Sequence, residues 1–199
     1  MSNPTTSPEA HPDRPIVAEW VKIPVSGAVT EMTTYLARPA GSGPWPAVLL
    51  GFEMFGVTGY LRRVAERLAG AGYVAMVPDF YHRYSSSDSP VQLSADAEGR
   101  SRGLELVGDL RRERVLADVQ AALQHLAARQ DTRGTAAMVG LSAGGHIAYY
   151  AATQVPLAAL VVFYPGWSTG AEIPLSQPVA TLTLTPDIRA GHPSAVPRR

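Results

Sequence analysis

The sequence lacks several features that would define other classes of protein. It has no cysteine among its 199 residues, which excludes disulfides, thiolate metal ligands and a cysteine nucleophile. It has no excess charge, because 17 Lys and Arg balance 17 Asp and Glu, so nothing favours a nucleic-acid or membrane partner. No apolar run approaches the ~20 residues that span a bilayer, and a signal-peptide pattern is missing. We therefore expect a cytoplasmic protein.

The pattern of apolar and polar segments predicts one α/β domain between two tails. Residues 1–15 are polar and proline-rich, which predicts a flexible N-terminal tail. Residues 16–187 alternate short apolar runs with amphipathic stretches, which predicts a mostly parallel sheet with helices on both faces. Residues 188–199 are expected to form a C-terminal tail.

The individual elements follow from the period of the apolar residues. Strands are predicted at 16–24, 30–38, 47–52, 73–77, 135–139, 158–163 and 179–185, and helices at 60–70 and 146–153. Residues 83–103 suggest a loop or lid, and one long amphipathic helix should follow, up to Leu126. Ligands of such sheets bind beyond the carboxyl ends of the strands. The residues directly after predicted strands are Glu53, Asp79, Ser142, Tyr164 and Asp187.

A nucleophile-elbow pattern, G-x-S-x-G, occupies residues 140–144. An apolar strand precedes it and a helical segment follows it, as this motif requires. The sharp strand-to-helix turn strains Ser142, favours glycine on either side, and lifts the serine hydroxyl clear of the sheet. The N–H of Ala143 then becomes an oxyanion donor. The alternative is a glycine-rich turn with an incidental serine.

A second group of candidate residues lies in the segment Gly51–Gly56, after the strand that starts at Ala47. In an elbow fold the loop after that strand supplies the second oxyanion donor, for which the N–H of Met54 is the natural candidate. Glu53 would place a carboxylate at the mouth of the same site. Without further information, a lone glutamate after a strand is more often solvated or close to a helix N-terminus than catalytic.

The segment from Gly51 to Arg83 resembles the dienelactone hydrolase family, and with the elbow the resemblance covers about residues 30–187. The matching residues are Glu53, Phe55, Gly56, Arg67, Leu68, Ala69, Gly72, Tyr73, Val74, Ala75, Pro78, Asp79, Tyr81 and Arg83. The resemblance implies an α/β-hydrolase fold in which Glu53 assists the nucleophile and Arg83 binds a substrate carboxylate. Asp79 is expected to be structural, because a buried Pro-Asp turn can cap nearby amides.

One departure from the family pattern concerns the nucleophile. The best-known members use cysteine at the position of Ser142, and serine needs a general base more than cysteine does. This difference favours a general esterase. We expect hydrolysis of a small carboxylic ester or lactone through an acyl-enzyme on Ser142, without cofactor or metal.

The remaining triad residues must come from the end of the chain, since the fold orders them Ser, then Asp or Glu, then His. By resemblance, Asp187 falls at the acid position, although Thr185-Pro186 replaces the family's glycine. His192 follows only five residues later, whereas the family places a helix and a strand in between. Either His192 closes the triad, or it is a tail residue. In the second case the chain is a non-catalytic hydrolase-like protein or a truncated remnant without the triad histidine. In either case the fold is expected to lack the family's last strand and helix, as in a truncated or frameshifted version of a longer enzyme.

Overall fold

The computed structural model describes residues 14–85, 89–164, 180–187 and 192–197, the last two ranges chiefly by their backbone. The predicted N-terminal tail lies almost wholly outside the described residues. The strands are β1 (Ile16–Ile23), β2 (Met32–Pro39), β3 (Trp45–Gly51), β4 (Val74–Pro78), β5 (Thr132–Leu141), β6 (Ala159–Phe163), β7 (Ala180–Asp187) and β8 (His192–Pro197). The helices are α1 (Gly59–Gly70), α2 (Ala97–Asp109), α3 (Arg112–Ala128) and α4 (Ala143–Ala152).

These strands form one mixed sheet in the order β1-β2-β4-β3-β5-β6-β7-β8. The central pairs from β4 to β7 are parallel, whereas β1–β2, β2–β4 and β7–β8 are antiparallel. Helix α1 packs on β2 and β4, α3 on β5, and α4 on β5 and β6. The predicted α/β-hydrolase-like sheet with a mostly parallel centre is confirmed.

The core lies around β3 and β4, whose sequences are nearly continuous apolar runs, as expected for strands covered on both faces. All five residues of β4 are buried. Beyond the strand ends, the Phe52 ring stacks on Phe80 at 5.3 Å and meets the edge of Tyr81 at 4.5 Å. These contacts hold the segment after β3 against the segment after β4.

The region expected as a loop or lid contains a helix. Helix α2 begins at Ala97, where the Asp96 carboxylate caps it by accepting a hydrogen bond from Gly99 N at 2.8 Å. The expected single long helix is two helices, because Leu110 and Arg111 adopt extended backbone angles between α2 and α3. Gly108 and Asp109 stand just before this break and disfavour a helix interior, but the apolar period continues across it, so the periodic pattern alone predicted one helix.

The C-terminal residues also differ from the expected tail. The backbone of His192–Pro197 forms β8, which pairs with β7 from Leu182↔Pro197 to Asp187↔His192. Prolines at 193 and 197 weaken the strand signal of this segment, but β8 is an edge strand, where prolines are tolerated. The sheet therefore has a strand beside β7, where the sequence suggested that one would be missing.

Candidate active site

The predicted elbow is confirmed in its geometry. Strand β5 ends at Leu141 and α4 begins at Ala143, with Ser142 between them at φ 54° and ψ −119°. A non-glycine residue at positive φ is strained, and such strain persists where the surrounding structure holds it in place. One of these restraints is the hydrogen bond from Ser142 N to Phe163 O at 3.0 Å.

Glycines make the elbow possible because α4 packs with its backbone directly on β3. A Cβ on Gly144 would collide with the main chain of Gly51, and one on Gly140 would collide with the main chain of Gly144. A hydrogen bond from Gly144 N to Phe52 O at 2.7 Å closes the contact. The sequence predicted the crowding at the two motif glycines but not the part played by Gly51, which belongs to another strand.

Glu53 lies at the same edge of the sheet as Ser142, as predicted. Strands β3 and β5 are parallel neighbours in which Gly51 pairs with Gly140. Glu53 and Ser142 therefore each follow two residues after a paired position. This register brings a carboxylate and a strained serine to neighbouring strand ends.

Two main-chain amides at this edge are available as hydrogen-bond donors. Ala143 is the first residue of α4, so its N–H has no acceptor within the helix. Among the described residues, the N–H of Met54 likewise has no main-chain acceptor. The Met54 carbonyl accepts a hydrogen bond from Tyr81 Oη at 3.2 Å, and Gly103 of α2 lies against it. These two contacts fix the loop that carries the Met54 amide.

Tyr164 contacts Glu53 directly, which the sequence did not predict. The sequence marked Tyr164 only as a residue that follows a strand. In the structure its phenol donates a hydrogen bond to Glu53 Oε1 at 3.0 Å. Burial, and then the negative charge of Glu53, raise the pKa of Tyr164 well above its usual value. The phenol therefore stays protonated and remains a donor at neutral pH.

Comparison with known proteins decides the family. The dienelactone hydrolase family matches residues 32–191. The chain belongs to the dienelactone hydrolase family.

Individual relatives agree with this assignment. A candidate carboxymethylenebutenolidase of Escherichia coli strain K12 is 34% identical over 189 residues, covering 90% of this chain and 63% of the relative. Carboxymethylenebutenolidase 1 of Cupriavidus pinatubonensis is 31% identical over 121 residues, covering 60% of this chain and 50% of the relative. The crystal structure of a candidate dienelactone hydrolase from Klebsiella pneumoniae superposes with a TM-score of 0.67 at 29% identity, covering 86% of this chain and 72% of the other. The chain thus spans about three fifths of the E. coli relative.

Arg83, which the family resemblance assigns to a substrate carboxylate, forms an ion pair within the protein. Its Nη1 donates to Asp118 Oδ2 at 2.7 Å, and His82 Nε2 lies 3.2 Å from Asp118 Oδ1. Asp118 is fully buried on α3 and the Arg83 side chain is 15% exposed. The sequence did not single out Asp118, although a charged residue beside Val115 and Val119 on the buried face of a helix was a usable signal. Substrate binding by Arg83 stays a prediction.

Asp79 has the structural role that the sequence predicted. Its Oδ1 accepts a hydrogen bond from Tyr81 N and its Oδ2 accepts one from Val91 N, both at 3.0 Å. The side chain is 1% exposed. Burial raises the pKa of Asp79 to about 6, although the two amide bonds oppose this shift. Asp79 therefore joins the β4 end to the segment before α2.

The three histidines whose side chains the structure describes, His82, His125 and His146, make no contact with the serine hydroxyl. His82 contacts Asp118, and Nε2 of His125 is buried without a hydrogen-bond partner. His146 lines a cavity of 160 Å³ beside Ala143, where burial and then the charge of Arg112 lower its pKa. None of these three histidines is hydrogen-bonded to Ser142.

The two remaining triad candidates lie on the last two strands. The backbones of Asp187 and His192 are register partners in the β7–β8 ladder. Their side chains fall outside what the structure describes.

Neither a metal-binding cluster nor a membrane-spanning helix occurs in the part of the chain that the structure describes. Among the side chains that the structure describes, no group of three or more acidic or histidine residues could hold a metal ion. In the same residues, every helix is too short or too polar to cross a membrane.

Proposed function

We propose that the chain is a serine hydrolase that cleaves a small carboxylic ester or lactone through an acyl-enzyme on Ser142. The observation that carries this proposal is the strained elbow at Ser142, beside the Met54 and Ala143 amides and the Glu53 carboxylate. Strained backbone, unbonded amides and a helix N-terminus at one sheet edge suit the stabilisation of a tetrahedral oxyanion.

In the proposed reaction, Ser142 Oγ attacks the carbonyl carbon while His192 accepts its proton. The carbonyl oxygen becomes an oxyanion that accepts hydrogen bonds from the Met54 and Ala143 amides. The C–O bond to the alcohol then breaks and the histidine returns the proton to the leaving oxygen. Water repeats the sequence on the acyl-enzyme, which releases the acid and restores the serine.

The strand register supports Asp187 and His192 as the remaining triad residues. Leu141, Phe163 and Leu184 are paired across β5, β6 and β7. Ser142 directly follows β5, and Asp187 is the last residue of β7, so both lie at the carboxyl ends of parallel strands at one edge. Directly opposed positions of an antiparallel ladder have Cβ atoms ~5 Å apart. At that spacing an aspartate can orient a histidine, and we propose that Asp187 does so for His192.

Glu53 is proposed to assist the nucleophile. Its carboxylate lies at the strand end next to Ser142 and is a second acceptor for a proton at this edge. For Arg83 we retain the substrate-carboxylate role as a proposal, because a guanidinium has five donors and the described contact to Asp118 uses one of them.

The experiment is hydrolysis of p-nitrophenyl acetate by purified protein. Ser142→Ala should abolish activity, whereas Ser101→Ala, on the exposed surface of α2, should leave it unchanged. His192→Ala should lower kcat/KM by ~10²–10⁴-fold, the usual contribution of a general base. His146→Ala is the matched histidine control.

Three outcomes would change the proposal. Turnover that survives Ser142→Ala would contradict the mechanism. Activity that survives His192→Ala would show that another residue is the general base. No activity in the unaltered protein would favour the non-catalytic alternative.

A further inference from the structure

Two residues other than glycine adopt positive φ in the described part of the chain, and both lie at the candidate site. They are Ser142 at 54° and Tyr164 at 39°. Backbone strain of this kind is costly and clusters at functional sites. Ser142 follows β5, Tyr164 follows the neighbouring strand β6, and the hydrogen bond from Ser142 N to Phe163 O connects the two strand ends. The strain at Ser142 belongs to the elbow, whereas the elbow motif does not account for the strain at Tyr164.

The strained conformation accompanies a contact between distant parts of the chain. Tyr164 Oη donates to Glu53 Oε1 at 3.0 Å, across 111 residues of sequence. The dipeptide Phe163–Tyr164 therefore binds the nucleophile's amide through its main chain and the Glu53 carboxylate through its side chain. A free glutamate on a loop samples several rotamers, so a fixed partner on an adjacent strand end lowers the entropic cost of orienting it.

We infer that Tyr164 is a positioning residue, whose hydroxyl holds Oε1 of Glu53 and leaves Oε2 for the reacting groups at Ser142. This inference rests on the proposed function in one respect, namely that Glu53 takes part in the reaction. Among the described residues, Oε2 of Glu53 has no protein partner. The phenol remains a donor over the working range of a hydrolase, because burial and the Glu53 charge keep it protonated.

Tyr164→Phe separates positioning from a merely structural role. Phenylalanine bears the same backbone strain and keeps the ring beside Phe163, whose centroid lies 6.4 Å away, so the variant loses only the hydroxyl. Tyr60→Phe is the matched control, because Tyr60 is nearby and 49% exposed.

The first readout is kinetic, with p-nitrophenyl acetate as substrate. Tyr164→Phe should lower kcat/KM at least tenfold, mainly through kcat, with an unchanged melting temperature. In a Glu53→Ala background the same substitution should cause no further loss, because the two residues act through one contact. Additive losses in the double variant would overturn the inference, as would an unchanged kcat/KM in Tyr164→Phe.

The second readout needs no activity, so it separates failure of this inference from failure of the proposed function. In protein labelled with [ζ-¹³C]tyrosine, the Tyr164 resonance is assigned by its absence in Tyr164→Phe and followed through an alkaline pH titration. Glu53→Ala should shift its titration to lower pH, and Tyr60 should shift less. No shift at Tyr164 would show that the contact is absent and overturn the inference. If Tyr164 shifts in a protein that has no esterase activity, the contact with Glu53 is supported but the proposed function is refuted.

Discussion

Gly51 and Gly140 are register partners in the neighbouring parallel strands β3 and β5. This pairing brings Glu53 and Ser142 to the same edge of the sheet. Because glycine has no side chain, the main chain of the first turn of α4 can pack directly against the main chain of β3. The elbow therefore depends on contacts between two strands as well as on the local G-x-S-x-G turn.

The close approach at the elbow predicts that Gly144→Ala destabilises the protein. The new methyl group would overlap the main chain of Gly51, which cannot move as a flexible side chain could. We expect a loss of ~3 kcal/mol or more in the free energy of unfolding, at or above the upper range for overpacking. Gly108→Ala is the control, because its Cβ would meet nothing within 4 Å and alanine favours a helix. Urea denaturation compares the two, and equal stability would contradict the packing account.

The ion pair between Arg83 and buried Asp118 predicts a large effect on stability. Arg83→Gln leaves Asp118 with His82 as its remaining described partner, and breaking a buried pair typically costs ~3–5 kcal/mol. Arg102→Gln breaks an exposed pair with Glu105 and should change stability by about 0.5 kcal/mol or less.

The same variant tests the substrate-binding role of Arg83. If that role is correct, Arg83→Gln should also raise KM for an ester that carries a free carboxylate, but not for p-nitrophenyl acetate. An equal effect on both substrates would assign Arg83 to structure alone.

The raised pKa of Asp79 predicts that the free energy of unfolding depends on pH. Its pKa is about 6 in the folded protein against 3.8 for an unperturbed carboxyl group, so the folded state holds the proton more tightly. Protonation of Asp79 therefore stabilises the folded state fully below pH 3.8. This stabilisation, on the order of 3 kcal/mol, is lost as the pH rises to about 6. Asp79→Asn should remove this slope.

Denaturation of both proteins between pH 4 and pH 7 measures the effect. The asparagine amide can replace only one of the two acceptors, so the variant should be the less stable protein at pH 4. The difference between the two proteins should shrink toward pH 7. A constant difference would contradict the raised pKa.

Much of the site could be predicted from local sequence, and the rest depends on long-range contacts. The elbow at Ser142 and the placement of Glu53 follow from short apolar runs and turn chemistry, which are local signals. The contacts Tyr164–Glu53 and Arg83–Asp118 join residues 111 and 35 positions apart, so no local pattern encodes them. Strand β8 was missed because its prolines weaken the strand signal, although an edge position tolerates them.

The absence of cysteine makes Ser142→Cys an informative variant, because the introduced side chain is the only thiol that iodoacetamide can alkylate. The N-terminus of α4 stabilises a thiolate, so its alkylation should have a pH midpoint below the ordinary value of about 8.5. If His192 is the general base, His192→Ala should move this midpoint upward, whereas His146→Ala should not. A midpoint at or above the ordinary value would show that the elbow does not activate a nucleophile.

Labelling with a fluorophosphonate, followed by peptide mass spectrometry, tests the central claim most directly, because the reagent modifies only a serine that is already activated. We predict one adduct per chain, on Ser142, lost in Ser142→Ala and slowed in His192→Ala. Absence of labelling in the unaltered protein, or an adduct on another residue, would contradict the account.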